Sequence, residues 1–199
     1  ASLIKHYDLK RVDYIYSRKL DTKNVRGIYV NRNRPKLIVV DKFNGGKADS
    51  LNVGINFARK EYVCGIDADS LLEEDSLLKI ASLTLDEEKE TPALGGNIMP
   101  ANGCIVESGH LIKTRLSDNH LAGFQTIEYI RAFMAGRLGW SYLNSLLIIS
   151  GAFGLFRKER LITIGGYLTS SGKYRKDTVG EDMELVVRIS RQMKLLIRC

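Results

Sequence analysis

Polar and apolar positions fall into blocks whose period changes along this chain, and those changes mark out its elements. Lys36-Leu37-Ile38-Val39-Val40 is a near-continuous apolar run of strand length, and Asn44-Gly45-Gly46 after it is a turn signal. From Lys47 to Arg59 the period becomes helical, with Ala48, Leu51, Ile55 and Ala58 on one face. Tyr62 to Ile66 is a second apolar run. The acidic cluster Glu73-Glu74-Asp75 then precedes Leu77, Leu78, Ile80, Ala81 and Leu85, as suits the positive end of a helix dipole, and Asp86 to Pro92 closes that helix. Leu94 to Met99 reads as a strand and Ala122 to Arg137 as a helix. Leu146 to Ile149 reads as a strand running into Gly151-Ala152-Phe153-Gly154. Glu181 opens an amphipathic helix with Leu185, Val186, Ile189 and Met193 on one stripe, and Lys194 to Cys199 reads as a strand cut short. At the other end, Ala1 to Lys10 reads as a helix that leads into a strand around Val12 to Tyr16. Strands alternating with helices imply an α/β fold with a mostly parallel central sheet flanked by helices. No repeat or linker-like tract divides residues 1–199, so a single domain is expected.

Composition adds bounds to this picture. A content of 44% hydrophobic and 27% charged residues is that of a globular chain with a real core. The net charge of +7 favours anionic partners such as nucleotides, nucleic acid or an anionic membrane surface. Part of that excess lies in Arg18, Lys19, Lys23, Arg26, Arg32, Arg34 and Lys36, and part in Lys173, Arg175 and Lys176; a solvated basic face accounts for either group. Cys64, Cys104 and Cys199 form no Cys-x-x-Cys pair, which points to a reducing compartment and away from structural zinc. The longest apolar stretch, Leu138 to Phe156, is interrupted by serines, asparagine and glycines and is too polar to span a bilayer.

Three short motifs carry candidate chemistry. Asp67-Ala68-Asp69 puts two carboxylates where a buried strand emerges, and oxygen ligands of this kind suit Mg²⁺ or Mn²⁺ shared with substrate phosphates. A solvated turn capping the next helix is the plainer reading. Asn44-Gly45-Gly46-Lys47 offers backbone N–H groups and an ammonium to an anion, although it lacks the spacing of a Walker A loop. Gly180-Glu181-Asp182 stands at a helix start, where a carboxylate either caps the dipole or serves as a general base.

The ordered set Val39-Val40-Asp41-Lys42-x-Asn44-Gly45-Gly46-Lys47-Ala48, Asp67-Ala68-Asp69, Ser150-Gly151-Ala152-Phe153-Gly154 and Gly180-Glu181-Asp182 resembles the processive, membrane-associated family 2 glycosyltransferases of the cellulose, hyaluronan and poly-N-acetylglucosamine synthase kind. The resemblance runs from about residue 10 to the C-terminus. It implies a GT-A fold, a UDP-sugar donor such as UDP-N-acetylglucosamine, a Mg²⁺ or Mn²⁺ ion, a polysaccharide or lipid-linked acceptor, and inversion at the anomeric carbon. By that likeness Asp69 holds the metal with Asp67 assisting at the donor, and Lys47, Gly46 and Asn44 face the nucleotide or pyrophosphate. Gly151, Ala152 and Phe153 line the acceptor path, Asp182 is the base and Glu181 shapes the acceptor site beside it. Gly180 stands where the family carries Thr.

The family's opening strand, its Gln-x-x-Arg-Trp motif and its flanking membrane helices have no counterpart here. The expectation is therefore a catalytic domain truncated at both ends, soluble and inactive by itself. Its parent is expected at the cytoplasmic face of the cell membrane. Two rival enzyme and non-enzyme readings are a sugar-phosphate nucleotidyltransferase and a non-catalytic nucleotide-sugar-binding or assembly subunit. Nucleic acid is not expected as a partner, because the basic residues are not interleaved with stacking aromatics.

Overall fold

The computed structural model describes residues 2–85, 91–143, 146–170 and 180–193. Residues 86–90 of the helix closure expected over Asp86 to Pro92, the basic group Lys173 to Lys176 and the terminal strand over 194–199 lie outside the described residues. Packing divides the chain into two compact units, residues 1–59 with 165–181, and residues 60–164 with 182–199.

The first unit holds a three-stranded antiparallel sheet in the order β1-β2-β3, with β1 Lys10–Val12, β2 Val25–Val30 and β3 Ile38–Lys42. Val12 faces Ile28, and Ile28 faces Val40; the ladder slips by a bulge between Val25 and Gly27. A short helix α1, Ser2–His6, precedes it, and the expected strand through Tyr16 ends at Val12. Tyr14 and Tyr16 instead stack on Phe57, with ring centroids 5.7 and 4.2 Å away.

Helix α2, Gly46–Phe57, falls within two residues of its expected bounds. Its inward face is mixed. Of the predicted face, Ala48 and Ile55 are buried and Leu51 and Ala58 half-buried, while Val53 is buried off that face, and so are Asp49, Asn52 and Asn56, three and four residues apart. Buried amides and carboxylates are costly unless paired. Asn56 accepts from the backbone N–H groups of Lys19 and Leu20 at 3.0 and 2.9 Å and donates to the Leu20 carbonyl at 2.8 Å. Asn52 does the same for Tyr167, accepting from its N–H at 2.8 Å and donating to its carbonyl at 2.9 Å. Asn52 comes this close because residue 166 is glycine at φ +69; a Cβ there would stand 2.5 Å from the Asn52 Oδ1.

In the second unit the sheet order is β4-β8-β5, with β4 Tyr62–Ile66, β8 Phe153–Arg157 and β5 Ala93–Gly95. Ile80 of helix α3, Ser76–Ser82, packs with Leu94, Phe153 and Leu155 as a core. Two glycines make room for the aromatic rings of β8. A Cβ on Gly96 would strike the Phe153 ring, and one on Gly154 would lie 2.7 Å from the Phe156 ring and 2.9 Å from Ile149. A hairpin of β6 Ile105–Glu107 and β7 His110–Lys113 follows β5. Next comes a continuous helical run: α4 His120–Ile130, a π-helical segment Arg131–Arg137, and α5 Leu138–Tyr142. Asn119 caps it, its Oδ1 accepting from Leu121 N at 2.9 Å. Its outward side carries Leu121, Phe124, Ile127, Met134, Trp140 and Tyr142, all more than half exposed. Helix α6, Lys158–Ile164, follows β8, and α7, Glu181–Met193, buries Leu185, Val186 and Ile189 completely.

Helices and strands are both present, but the mostly parallel sheet is corrected: every strand pair among the described residues is antiparallel. Periodicity reveals strands and helices in order; it does not reveal which strands are neighbours. β4 and β5, joined through α3, do run in the same direction, as a strand-helix-strand reading implies. The late strand β8 lies between them, antiparallel to both. The strand expected at Leu146 to Ile149 is also displaced. Leu146 and Ile149 are buried without regular structure, and pairing begins at Phe153. An apolar run fills a core wherever its backbone hydrogen bonds go. The strand expected over Leu94 to Met99 pairs only through Gly95. No helix among the described residues is long and apolar enough to cross a membrane.

Candidate active site

Strand β4 ends at Ile66, opposite Phe153 of β8, so Asp67 falls beside Ala152. The Asp67 N–H donates to the Ala152 carbonyl at 3.4 Å, and a tight turn through Ala68 and Asp69 closes with Ser70 N donating to Asp67 O at 3.1 Å. Asp67 is partly buried and Asp69 exposed; among the described residues the Asp69 carboxylate has no partner. On the other side of the same segment, Gly151 N donates to Asp182 Oδ2 at 2.8 Å. Three pieces of sequence singled out separately, Asp67, Gly151-Ala152 and Asp182, are thus one hydrogen-bonded group within the second unit. Phe153, next along, is buried as a wedge against Gly96 rather than lining an open path.

A carboxylate pair on a turn is a fitting, if minimal, ligand set for Mg²⁺ or Mn²⁺, which take few protein oxygens and fill the remaining positions with water and phosphate. Among the described residues no group of three or more His, Cys, Asp or Glu side chains is placed to hold a metal ion alone. Cys64, inside β4, adds no chemistry: burial pushes its thiol up to about 11, so it stays neutral and is a packing residue.

The first unit carries the other motif. Asn44 Oδ1 accepts from Gly46 N at 3.0 Å, which turns the chain into α2. Gly45 caps the helix without a side chain, and Gly46 takes φ +85, open to a glycine. Lys47 reaches Glu181, its ammonium 4.0 Å from the carboxylate. Under this loop lies Asp49, fully buried, which accepts from Lys23 N at 3.0 and 3.3 Å and pairs with the Lys42 ammonium at 2.5 Å. A Cβ on Gly45 would stand 2.7 Å from the Asp49 carboxyl carbon, so the loop rests directly on this residue. Sequence reasoning passed over Asp49 and read Lys23 only as part of a solvated basic face. The signal was present in the helical spacing of Asp49, Asn52 and Asn56 beside Ile55, a polar stripe on what the apolar pattern marks as the inward face.

Residues 20–161 match the family described as glycosyl transferase family 2. The chain is also 32% identical over 122 residues to a poly-beta-1,6-N-acetyl-D-glucosamine synthase of Staphylococcus epidermidis, covering 61% of this chain and 26% of that protein. It is 30% identical over 139 residues to the synthase of the same name from Staphylococcus aureus strain COL, covering 69% and 30%. The chain therefore spans less than a third of the length of these curated relatives. The family match takes in Asn44 to Lys47, Asp67, Asp69 and Gly151 to Phe153, and it ends before Glu181 and Asp182.

Proposed function

The chain belongs to glycosyl transferase family 2, and from that premise we propose that the protein carrying it moves a sugar from a UDP-sugar to an acceptor hydroxyl with inversion at the anomeric carbon. By likeness to the two synthases the donor is UDP-N-acetylglucosamine and the acceptor a growing polysaccharide or a lipid-linked sugar. Membrane attachment, in this reading, belongs to the part of the protein beyond this chain.

The observation that carries the reading is the hydrogen bond from Gly151 N to Asp182 Oδ2, on the same two-residue segment whose Ala152 carbonyl accepts from Asp67 N. It supports Asp182 as the base because the bond orients the carboxylate beside the end of the strand that delivers the Asp pair. As the acceptor oxygen bonds to the anomeric carbon, Asp182 takes its proton, and the bond from that carbon to the diphosphate oxygen breaks with its electron pair leaving on UDP. Asp67 and Asp69 are the residues that would hold Mg²⁺ or Mn²⁺, which would supply positive charge to the departing diphosphate. Lys47, Gly46 and Asn44 hold the donor's phosphates or nucleotide; Gly151 and Ala152 lie along the acceptor path, with Glu181 shaping the acceptor side.

The test is sugar transfer by the full-length protein in membranes, with labelled UDP-sugars, with and without Mg²⁺ or Mn²⁺, beside Asp182→Asn. Metal-dependent polymer from one donor, lost in the variant, is the expected result. A variant as active as the parent, or no consumption of any donor, overturns the assignment.

A further inference from the structure

The structure points to a second cation at the loop on which the donor reading rests. Of the lysines around Gly45, Lys42 is spent on Asp49, at 2.5 Å, and also donates to the Phe43 carbonyl at 2.8 Å. Lys47 is shared with Glu181. Lys23 differs from both: it is exposed, and among the described residues its ammonium forms no ion pair. It is nevertheless held firmly at its root. Both Asp49 oxygens accept from its backbone N–H, and its Cγ lies 2.8 Å from where a Cβ on Gly45 would stand. Its stem therefore lies along the glycine loop itself. Lys23 also lines an open depression with Thr22, Asn24, Phe43 and Asn44, the last of which is the residue that turns the chain into Gly46.

Burying the Asp49 carboxylate is expensive even when a lysine neutralises it. An apolar residue there would lack the two oxygens that accept from the Lys23 N–H. We propose that Lys23 binds the phosphates of the nucleotide donor together with Lys47, and that Asp49 is the positioning residue that holds Lys23 against the loop. This inference rests on the nucleotide-sugar reading above. An ammonium carried on a fixed backbone suits a phosphate, which it meets as a point charge from several directions. A lysine on a merely solvated basic face, such as the exposed Lys36, has neither the clamp nor the loop contact.

The experiment measures the affinity of the full-length protein in detergent, with Mg²⁺ present, for UDP and separately for uridine. The proteins compared are wild type, Lys23→Gln, Lys23→Arg, Asp49→Asn and, as a charge control, Lys36→Gln. A charge-assisted contact to phosphate predicts that Lys23→Gln weakens UDP about tenfold and leaves uridine within about twofold. Lys23→Arg restores most of the loss, Asp49→Asn shifts UDP in the same direction as Lys23→Gln, and Lys36→Gln changes neither ligand. UDP affinity unchanged in Lys23→Gln overturns the proposal, and so does an equal loss of UDP and uridine, which marks a structural role. If the wild type binds neither UDP nor uridine, the donor reading fails first and Lys23's role falls with it.

Discussion

The two units solve the same problem, holding a few polar groups in fixed places, by different means. In the second, an apolar sheet does it: β4 and β8 pair in one register, glycines at 96 and 154 admit the Phe153 and Phe156 rings, and Asp67 and Asp182 are set by backbone contacts at the strand ends. In the first, buried side chains do it: Asp49, Asn52 and Asn56 reach from one helix face to the backbones of residues 19–23 and 167. Register precision follows from regular hydrogen bonding and tolerates changes in the side chains it carries. A side-chain clamp has less redundancy, because one amide makes two or three of the connections at once.

The largest expected effect separates chemistry from scaffold in the second unit. Asp182→Asn keeps an oxygen that can accept from Gly151 N, so the fold should melt within a degree or two of the parent. Transfer should nevertheless fall by about 10² to 10⁴-fold, the usual range for a lost general base. Parallel assays of transfer and thermal unfolding on the full-length protein test this, and a variant that loses both together would mean Asp182 is a structural anchor.

How much of this was legible beforehand differs between the units for the same reason. Tyr62 to Ile66 was located to the residue, because a short apolar run ending in Asp67 announces both the strand and its exit. The neighbour of that strand was not, since β8 arrives from nearly ninety residues later and nothing in local period encodes pairing. Asp182 stood out at a helix start, where local pattern left capping and base catalysis both open; the choice of a base came from the resemblance, and the residue lies past the end of the family match. In the first unit, helix α2 was legible and its role was not. The spacing of Ala48 and Ile55 gave the buried face, but the partners of Asp49, Asn52 and Asn56 are backbone groups of distant loops, which leave no trace in side-chain composition.

Next in size is the clamp itself. Asn52→Ala removes two hydrogen bonds from the backbone of the buried Tyr167, at an expected cost of about 2–4 kcal/mol. The comparison is sharpened by locality: hydrogen exchange should quicken around residues 20 and 167 and stay slow in β4 and β8. Uniform quickening throughout would show that the units do not differ in this way.

Overpacking the sheet should cost less. Gly96→Ala drives a methyl into the Phe153 ring, which can shift within the core, so about 1–3 kcal/mol is expected. Thermal unfolding measures the total. Because Phe153 follows Ala152, transfer should also drop by more than stability alone accounts for; an unchanged rate would show that the Gly151-Ala152 segment is insulated from the ring beneath it.

The smallest effect is a pH dependence confined to the second unit. Burial pushes the Cys64 thiol from its ordinary value near 9.0 up to about 11. Below pH 9 the thiol is neutral whether the chain is folded or not, and the fold keeps its full stability. As pH rises from about 9 to about 11 the unfolded chain ionises first, binds fewer protons than the folded one, and stability is progressively lost. The same burial should make Cys64 alkylate with iodoacetamide far more slowly in the native protein at pH 8.5 than after unfolding, read out peptide by peptide by mass spectrometry. Cys64→Ser should flatten the stability slope between pH 9 and 11. A native thiol that alkylates as fast as the unfolded one would mean β4 opens readily, and the rigid register from which Asp67 takes its position would then be no firmer than the side-chain clamp of the first unit.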